Sequence, residues 1–97
     1  MTINALQELQ SLDGKPLKSG EEVLTLGKAI SNILLSDETN GKMKLFVLAQ
    51  KFYNEASIEL DTSDLALVKG AVQKSKIYSA IVSGQVEKIL EELKANN

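Results

Sequence analysis

Apolar residues recur at helical spacing along most of the chain after residue 24. In the segment 25–36, TLGKAISNILLS, they stand three and four positions apart, which is the spacing of one buried helix face. Thr25 precedes them and is a suitable N-cap. In the segment 41–56, GKMKLFVLAQKFYNEA, a main apolar row is joined by a second row, Phe46 and Tyr53. We expect this second, most apolar helix at the centre of the core. The main rows are residues 26, 29, 30, 33 and 34, then 45, 48, 49, 52 and 56.

A further helix is predicted after residue 60. Asp61 stands three residues before Asp64. This is a capping arrangement, in which the first carboxylate accepts hydrogen bonds from free amides and the second lies in the positive first turn. We expect a helix from Asp61 or Thr62 to about Ser75. The residues before it, 57–60, alternate for too few positions to establish a strand. The buried stripe of the helix is Leu65, Val68, Ala71 and Val72.

The last segment, 76–97, carries an apolar stripe that allows two interpretations. Its spacings of four, four, three and four residues partly match the seam of a helical pair, so it is a candidate partner surface for a homodimer. The alternative is that it packs on the helix of residues 42–56 in the same chain. We favour that alternative, because a chain of 97 residues needs every apolar stripe for its own core. The members of the stripe are Tyr78, Val82, Val86, Ile89 and Leu93, with Ile81 and Leu90 beside them.

The N-terminal segment is less regular than the rest. Apolar residues at positions 5, 6, 9 and 12 predict a brief helix over 4–12. Asp13–Gly14, Pro16 and Ser19–Gly20 then predict an exposed connecting loop. The sequence as a whole predicts an all-α fold, a small single-domain bundle of four to five helices. The expected division is a less regular segment 1–24 and a helical core 25–95 within one domain, 1–97.

Composition argues against several kinds of chemistry. The chain has no Cys, His, Trp or Arg. It therefore lacks a thiolate nucleophile, the commonest acid and base at neutral pH, and the commonest transition-metal ligand. We expect no catalytic residue, no metal and no other cofactor. The net charge of -2, with lysine as the basic residue throughout, disfavours nucleic-acid binding, which needs dense positive charge and guanidinium contacts.

Hydropathy along the chain bears on its location. No apolar run approaches the roughly 20 residues that a membrane-spanning helix needs. The N-terminus MTINALQELQ has no basic region leading into an apolar core, so it does not read as a secretory signal. We therefore expect a cytoplasmic protein that does not contact a membrane.

The stretch 34–44, LLSDETNGKMK, resembles a calcium loop, a phosphate cradle or a plain turn between helices. A calcium loop with Gly41 at its sixth place would need a bidentate carboxylate at the position of Val47. A phosphate cradle needs clustered glycines, and Gly41 has no partner glycine. We therefore favour the turn. The weak anion-site candidates that remain are Lys42, Lys44 and Tyr53.

Carboxylate pairs are the remaining candidates for catalysis. Asp37–Glu38 lies in the turn, Asp61–Asp64 caps a helix, and Glu91–Glu92 belongs to a lysine-balanced solvent face. These positions have structural explanations, so we expect that the chain is not an enzyme. The aromatic residues are also assigned to structure: Phe46 and Phe52 to the core, and Tyr53 and Tyr78 to half-buried positions with outward hydroxyls.

The order of these features carries a resemblance to a class of proteins. LDGKPL, then LTLGKAISNILLS, then the segment from GKMKLFVLAQ to EKILEEL, is similar to small helical proteins encoded in bacteriophage and prophage genomes. The resemblance covers nearly the whole chain. It implies a viral or prophage setting in a bacterial cytoplasm, and it transfers no activity and no site residue.

The sequence thus predicts a small non-catalytic protein that acts by binding a host or phage protein, as an inhibitor or an adaptor. One alternative is a virion-assembly chaperone or structural component, which would need self-association or a structural partner. Another is a small-ligand or nucleotide-binding protein that uses Lys42, Lys44 or Tyr53.

Overall fold

The computed structural model describes residues 2–37 and 42–95, apart from the side chains at positions 19, 42, 94 and 95. This part of the chain forms four helices and four short strands. The helices are α1 (Leu26–Ser36), α2 (Lys42–Asn54), α3 (Thr62–Lys74) and α4 (Ala80–Ala95). The strands are β1 (Thr2–Asn4), β2 (Lys18–Ser19), β3 (Glu22–Val23) and β4 (Ser57–Glu59).

The helix starts follow the capping signals in the sequence. The Thr25 hydroxyl accepts a hydrogen bond from the Lys28 amide at 3.3 Å, and α1 begins at the next residue. The Asp61 carboxylate accepts from the Asp64 amide at 2.7 Å and caps α3 in the same way. Both caps were predicted, and both are confirmed. The buried stripe of α3 is confirmed as well: Leu65, Val68, Ala71 and Val72.

The central helix of the fold is α1, which contacts α2, α3 and α4. The expectation that the 41–56 helix lies at the centre was therefore wrong. The physical reason is that α1 combines its apolar row with small residues, so neighbouring backbones can approach it from several sides. Its buried residues are Leu26, Gly27, Ala29, Ile30, Ser31, Ile33 and Leu34.

The N-terminal segment runs extended, and the helix predicted over 4–12 is wrong. β1 pairs antiparallel with β4, with Ile3 opposite Ile58 and both side chains buried. The chain then continues through backbone hydrogen bonds to distant residues, such as Leu9 N–H to the Leu24 carbonyl at 3.0 Å. These bonds satisfy the amides that a helix would have satisfied locally. The apolar residues at 5 and 9 are buried, and those at 6 and 12 are exposed.

A second strand pair completes the N-terminal segment. β2 and β3 pair antiparallel, with Lys18 opposite Val23. Gly20 turns the chain between them at φ +69°, a left-handed conformation that favours glycine. The protein is therefore predominantly helical, but the all-α class omits these two small antiparallel pairs.

The buried side chains form one hydrophobic core. The central part comes from α1, with α2, α3 and α4 contributing one face each. Ile3, Leu9 and Ile58 extend the core under the N-terminal segment. From α4 the buried residues are Val82, Val86 and Leu90.

Removing the α3 cap tests the local energetics of the fold. We expect Asp61→Ala to lower the free energy of unfolding by about 1 kcal/mol, because the Asp64 amide loses its acceptor. Asp61→Asn keeps an acceptor oxygen and should retain most of that stability. Urea denaturation followed by circular dichroism measures both variants. Equal stability of the Ala and Asn variants would show that the carboxylate does not cap α3.

Candidate interaction surface

α2 has two apolar faces. Its inner face, which packs into the core, consists of Leu45, Leu48, Ala49 and Phe52, all buried. The other described side chains of α2 are exposed. Five of them that share one side of the helix are defined here as the outer face: Met43, Phe46, Val47, Gln50 and Tyr53.

The outer face is exposed and continuous along the helix. Met43 is 77% exposed, Tyr53 61%, Phe46 49% and Val47 43%. Positions 43, 46, 47 and 50 follow the i, i+3, i+4, i+7 spacing of a single helix face, and 53 extends it. At about 100° per residue, the five positions cover a sector of about 120°. A soluble helix usually has polar residues in this sector, so the outer face of α2 is a candidate contact surface.

A groove between α1 and α2 borders the outer face. Its floor is made by small residues: the Ser31 hydroxyl donates a hydrogen bond to the Ala49 carbonyl at 3.0 Å, and both residues are buried. The small side chains allow the two helices to lie close together and leave a depression of about 190 Å³ above them. The lining residues are Ser31, Asn32, Leu35, Phe46, Ala49, Gln50, Tyr53 and Asn54, and none of these eight is charged.

Leu35 of α1 extends the apolar area across this groove. It is 58% exposed and lines the groove together with Phe46 and Tyr53. Leu35 and the four apolar members of the outer face expose on the order of 600 Å² of side-chain surface. This is about a tenth of the 6007 Å² of accessible surface, which is the share that a protein contact covers on a small protein.

The anion-site candidates are not brought together by the fold. Lys44 Nζ lies 3.0 Å from Asp64 Oδ1, and this hydrogen bond to the carboxylate raises the pKa of Lys44. The ion pair links α2 to α3, and the carboxylate balances the positive charge of the ammonium group. Tyr53 is nine residues further along α2, which places it on the opposite side of the helix from Lys44. The side chain of Lys42, the third candidate, lies outside the described residues.

The candidate partner stripe is engaged in the core of its own chain, but α4 packs mainly against α3 and α1, so the expectation that it packs on the 42–56 helix was wrong. Val82 and Val86 are buried, and Tyr78, Ile89 and Leu93 are half-buried against the same core. The Tyr78 hydroxyl also accepts a hydrogen bond from Asn32 Nδ2 at 2.8 Å, which links the segment just before α4 to α1. The five residues therefore do not form one open surface on the single chain. Self-association through α4 stays a prediction.

Other charged candidates have structural partners. Asp61 caps α3, and Glu91 is paired with Lys69 of α3. α1 ends at Ser36 with Asp37 as its C-cap, whereas the rest of the predicted turn, residues 38–41, lies outside the described residues. In the described part of the chain, no three carboxylate side chains are grouped so that they could hold a metal ion.

A second groove lies between the N-terminal segment and α4. The Gln85 carboxamide holds the backbone of Gln10: it accepts from the Gln10 amide at 2.9 Å and donates to the Gln10 carbonyl at 2.5 Å. Leu12 stands beside this contact with 98% of its surface exposed. The cavity measures about 580 Å³ and is lined in part by Leu12, Ile81 and Gly84. It is larger than the α1–α2 groove but carries fewer exposed apolar side chains.

Sequence reasoning assigned Phe46 to the core, and this assignment was wrong, since half of its surface is exposed. The prediction for Phe52 is confirmed. Tyr53 is more exposed than expected, and Tyr78 is half-buried as expected. Met43, Val47 and Leu35 were not proposed as contact residues. The sequence did contain a signal for an exposed apolar face, namely the second apolar row of α2. One small core cannot cover two faces of the same helix, so one of the two rows must be exposed.

No family model matches this chain, and no curated protein and no solved structure matches it either. Within the described ranges, no helix combines the length and the apolar character that crossing a membrane requires. Function is therefore inferred from the surface of the chain itself.

Proposed function

We propose that this chain is a small non-catalytic protein that acts by binding another protein through the outer face of α2. The observation that carries the proposal is the set of exposed apolar side chains on one side of α2: Met43, Phe46, Val47 and Tyr53. Following the resemblance, the setting is a bacteriophage or prophage protein in a bacterial cytoplasm. It would act there as an inhibitor or adaptor of a host or phage protein.

The dimensions of the surface favour a protein partner over a small molecule. The groove between α1 and α2 measures about 190 Å³, below the range of about 300–1,000 Å³ that small-ligand pockets occupy. The apolar area around it is broad and shallow, as in protein contacts, where exposed aromatic and Met side chains are enriched. Nucleotide binding receives no support from Lys44, because Asp64 already pairs with its ammonium group.

A pull-down from bacterial lysate tests this proposal. We expect the tagged wild-type chain, at tens of micromolar, to recover a stoichiometric protein partner that Met43→Glu fails to recover. Met43 is suited to this test because it is 77% exposed, so a charge there should leave the core intact while it disrupts an apolar contact.

Leu12→Glu is the matched control for that experiment. It adds the same charge at a position that is 98% exposed and lies beside α4 rather than on the outer face. It should recover the partner as the wild type does. Equal recovery by Met43→Glu and Leu12→Glu would contradict the assignment of the outer face, and no stoichiometric partner for any of the three chains would contradict the proposed function itself.

A further inference from the structure

The outer face of α2 and the groove beside it have the properties of a surface that meets its own copy. We infer that two chains associate through this face as a two-fold symmetric dimer, in which the α2 ridge of each chain lies against the α1–α2 groove of the other. The inference rests on the proposed function, which makes the outer face a protein-contact surface. The protein that covers this face is a second copy of the same chain.

Charge is the first argument for a second copy. In a two-fold contact each residue meets the same surface on its partner, so a charged face would place like charges together. The outer face and the eight residues of the groove contain no charged side chain. The net charge of -2 adds little long-range repulsion between copies. The nearest charges on α2, those of the exposed Lys44 and Lys51, lie at the edge of this face rather than within it.

Shape is the second argument. The outer face supplies the i, i+3, i+4 and i+7 anchors that a helix needs to pack into an apolar groove. The groove that side chains of such a helix would enter measures about 190 Å³ and lies next to it on the same chain, with the small residues Ser31 and Ala49 at its floor. A two-fold rotation therefore matches ridge to groove twice with one set of contacts.

Gln50 provides the third argument. It lies near the centre line of the outer face, one turn after Phe46 and Val47 and one turn before Tyr53. An antiparallel pair of α2 helices that crosses at this position places both Gln50 side chains near the two-fold axis. A carboxamide carries both a donor and an acceptor, so two Gln50 side chains can hydrogen-bond to each other across the axis.

The exposed apolar area places the contact at the small end of specific interfaces. About 600 Å² per chain corresponds to about 1,200 Å² in total, which is the lower limit for stable specific interfaces. The dimer is therefore expected to be weak, with a dissociation constant in the micromolar range. Such a dimer covers the apolar face while the chain is free, and a heterologous partner that binds more tightly can replace one copy.

Sedimentation equilibrium of the purified full chain tests the dimer. We expect the average mass to rise from 10.5 kDa towards twice that value between low micromolar and hundreds of micromolar. Met43→Glu should remain monomeric over this range, and Leu12→Glu should associate like the wild type. A charge exchange at the axis gives the most specific result. Gln50→Glu and Gln50→Lys should each weaken association about tenfold or more, while their equimolar mixture should recover it, because opposite charges then face each other.

Three results would overturn the inference. The first is a wild-type chain that stays monomeric at hundreds of micromolar. The second is a dimer that persists in Met43→Glu, or one that Leu12→Glu dissociates instead. The third is a charge-exchange mixture that associates no better than either variant alone. A monomer that still loses its lysate partner on Met43→Glu would remove the dimer and leave the proposed function standing, so the two failures are distinguishable.

Discussion

Replacing Phe52 with Ala is expected to lower the free energy of unfolding by about 3 to 5 kcal/mol, whereas Phe46→Ala should cost less than about 1 kcal/mol. Both phenylalanines belong to α2. Phe52 is 1% exposed on the inner face, so truncation leaves a cavity in the core. Phe46 is 49% exposed on the outer face, so solvent fills the space that its ring leaves. Urea denaturation of the two variants measures the difference.

Two further variants serve as controls in case Phe52→Ala does not fold. A small domain is stable by about 5 to 15 kcal/mol, so Phe52→Ala could unfold at room temperature. Phe52→Leu keeps most of the apolar volume and should be folded and intermediate in stability. Phe46→Leu should match the wild type. If the two alanine variants proved equally destabilised, the division of α2 into an inner and an outer face would be wrong.

Gly27→Ala is the second substitution with a large expected effect. Gly27 lies in the first turn of α1, and its amide donates to the Ala5 carbonyl at 2.9 Å. A methyl group there would lie 2.7 Å from the Ala5 side chain and closer still to the Phe52 carbonyl oxygen. Relieving these contacts requires three backbone segments to move apart. We expect a loss of about 3 kcal/mol, at the upper end of the cost of overpacking.

The other helical glycines provide controls for this substitution. An added methyl group at Gly70 of α3 or Gly84 of α4 would meet no atom within 4 Å beyond its chain neighbours and the nearby backbone of its own helix. Gly70→Ala and Gly84→Ala should therefore stabilise the chain by about 0.5 to 1 kcal/mol, as expected for Gly to Ala inside a helix. Thermal denaturation ranks all three variants. If Gly27→Ala melted at or above the wild-type temperature, α1 would not approach Ala5 and Phe52 as closely as the fold requires.

The helices could be predicted because their signals are local. The Thr25 and Asp61 caps and the apolar rows that follow them lie within a few turns of the residues that they organise. The buried stripe of α3 followed from spacing alone, since an isolated row of apolar side chains has only one side on which to meet the core.

The N-terminal segment could not be predicted in this way. Apolar residues at positions 5, 6, 9 and 12 fit a helix as well as they fit an extended chain with irregular burial. The decision was made by long-range hydrogen bonds, such as Ala5 N–H to the Ala56 carbonyl at 2.8 Å. The partners in these hydrogen bonds lie far apart in sequence, so a local sequence pattern does not predict them.

The candidate surface was visible only in part. The second apolar row of α2, Phe46 and Tyr53, is evident in the sequence. Its location depends on which side of α2 meets α1, and spacing does not report this. The structure shows that Leu48 and Phe52 face the core and that Phe46 points away from it. The apolar stripe of residues 78–93 has the spacing of a helical seam, but most of it packs against the core of its own chain. Spacing does not report this either, because it depends on how the helices are arranged in the fold.

The two-sided character of α2 can be measured directly, because the chain contains no cysteine that would interfere with thiol labelling. Met43→Cys and Leu48→Cys place single thiols on its outer and inner faces. In dilute protein we expect the thiol at position 43 to react almost as fast as in the denatured chain, and the thiol at position 48 to react only as fast as the protein opens. At hundreds of micromolar, the reaction at position 43 should slow as a protein contact covers the outer face. Equal labelling rates at the two positions in dilute protein would contradict the two-sided helix on which the proposed surface depends.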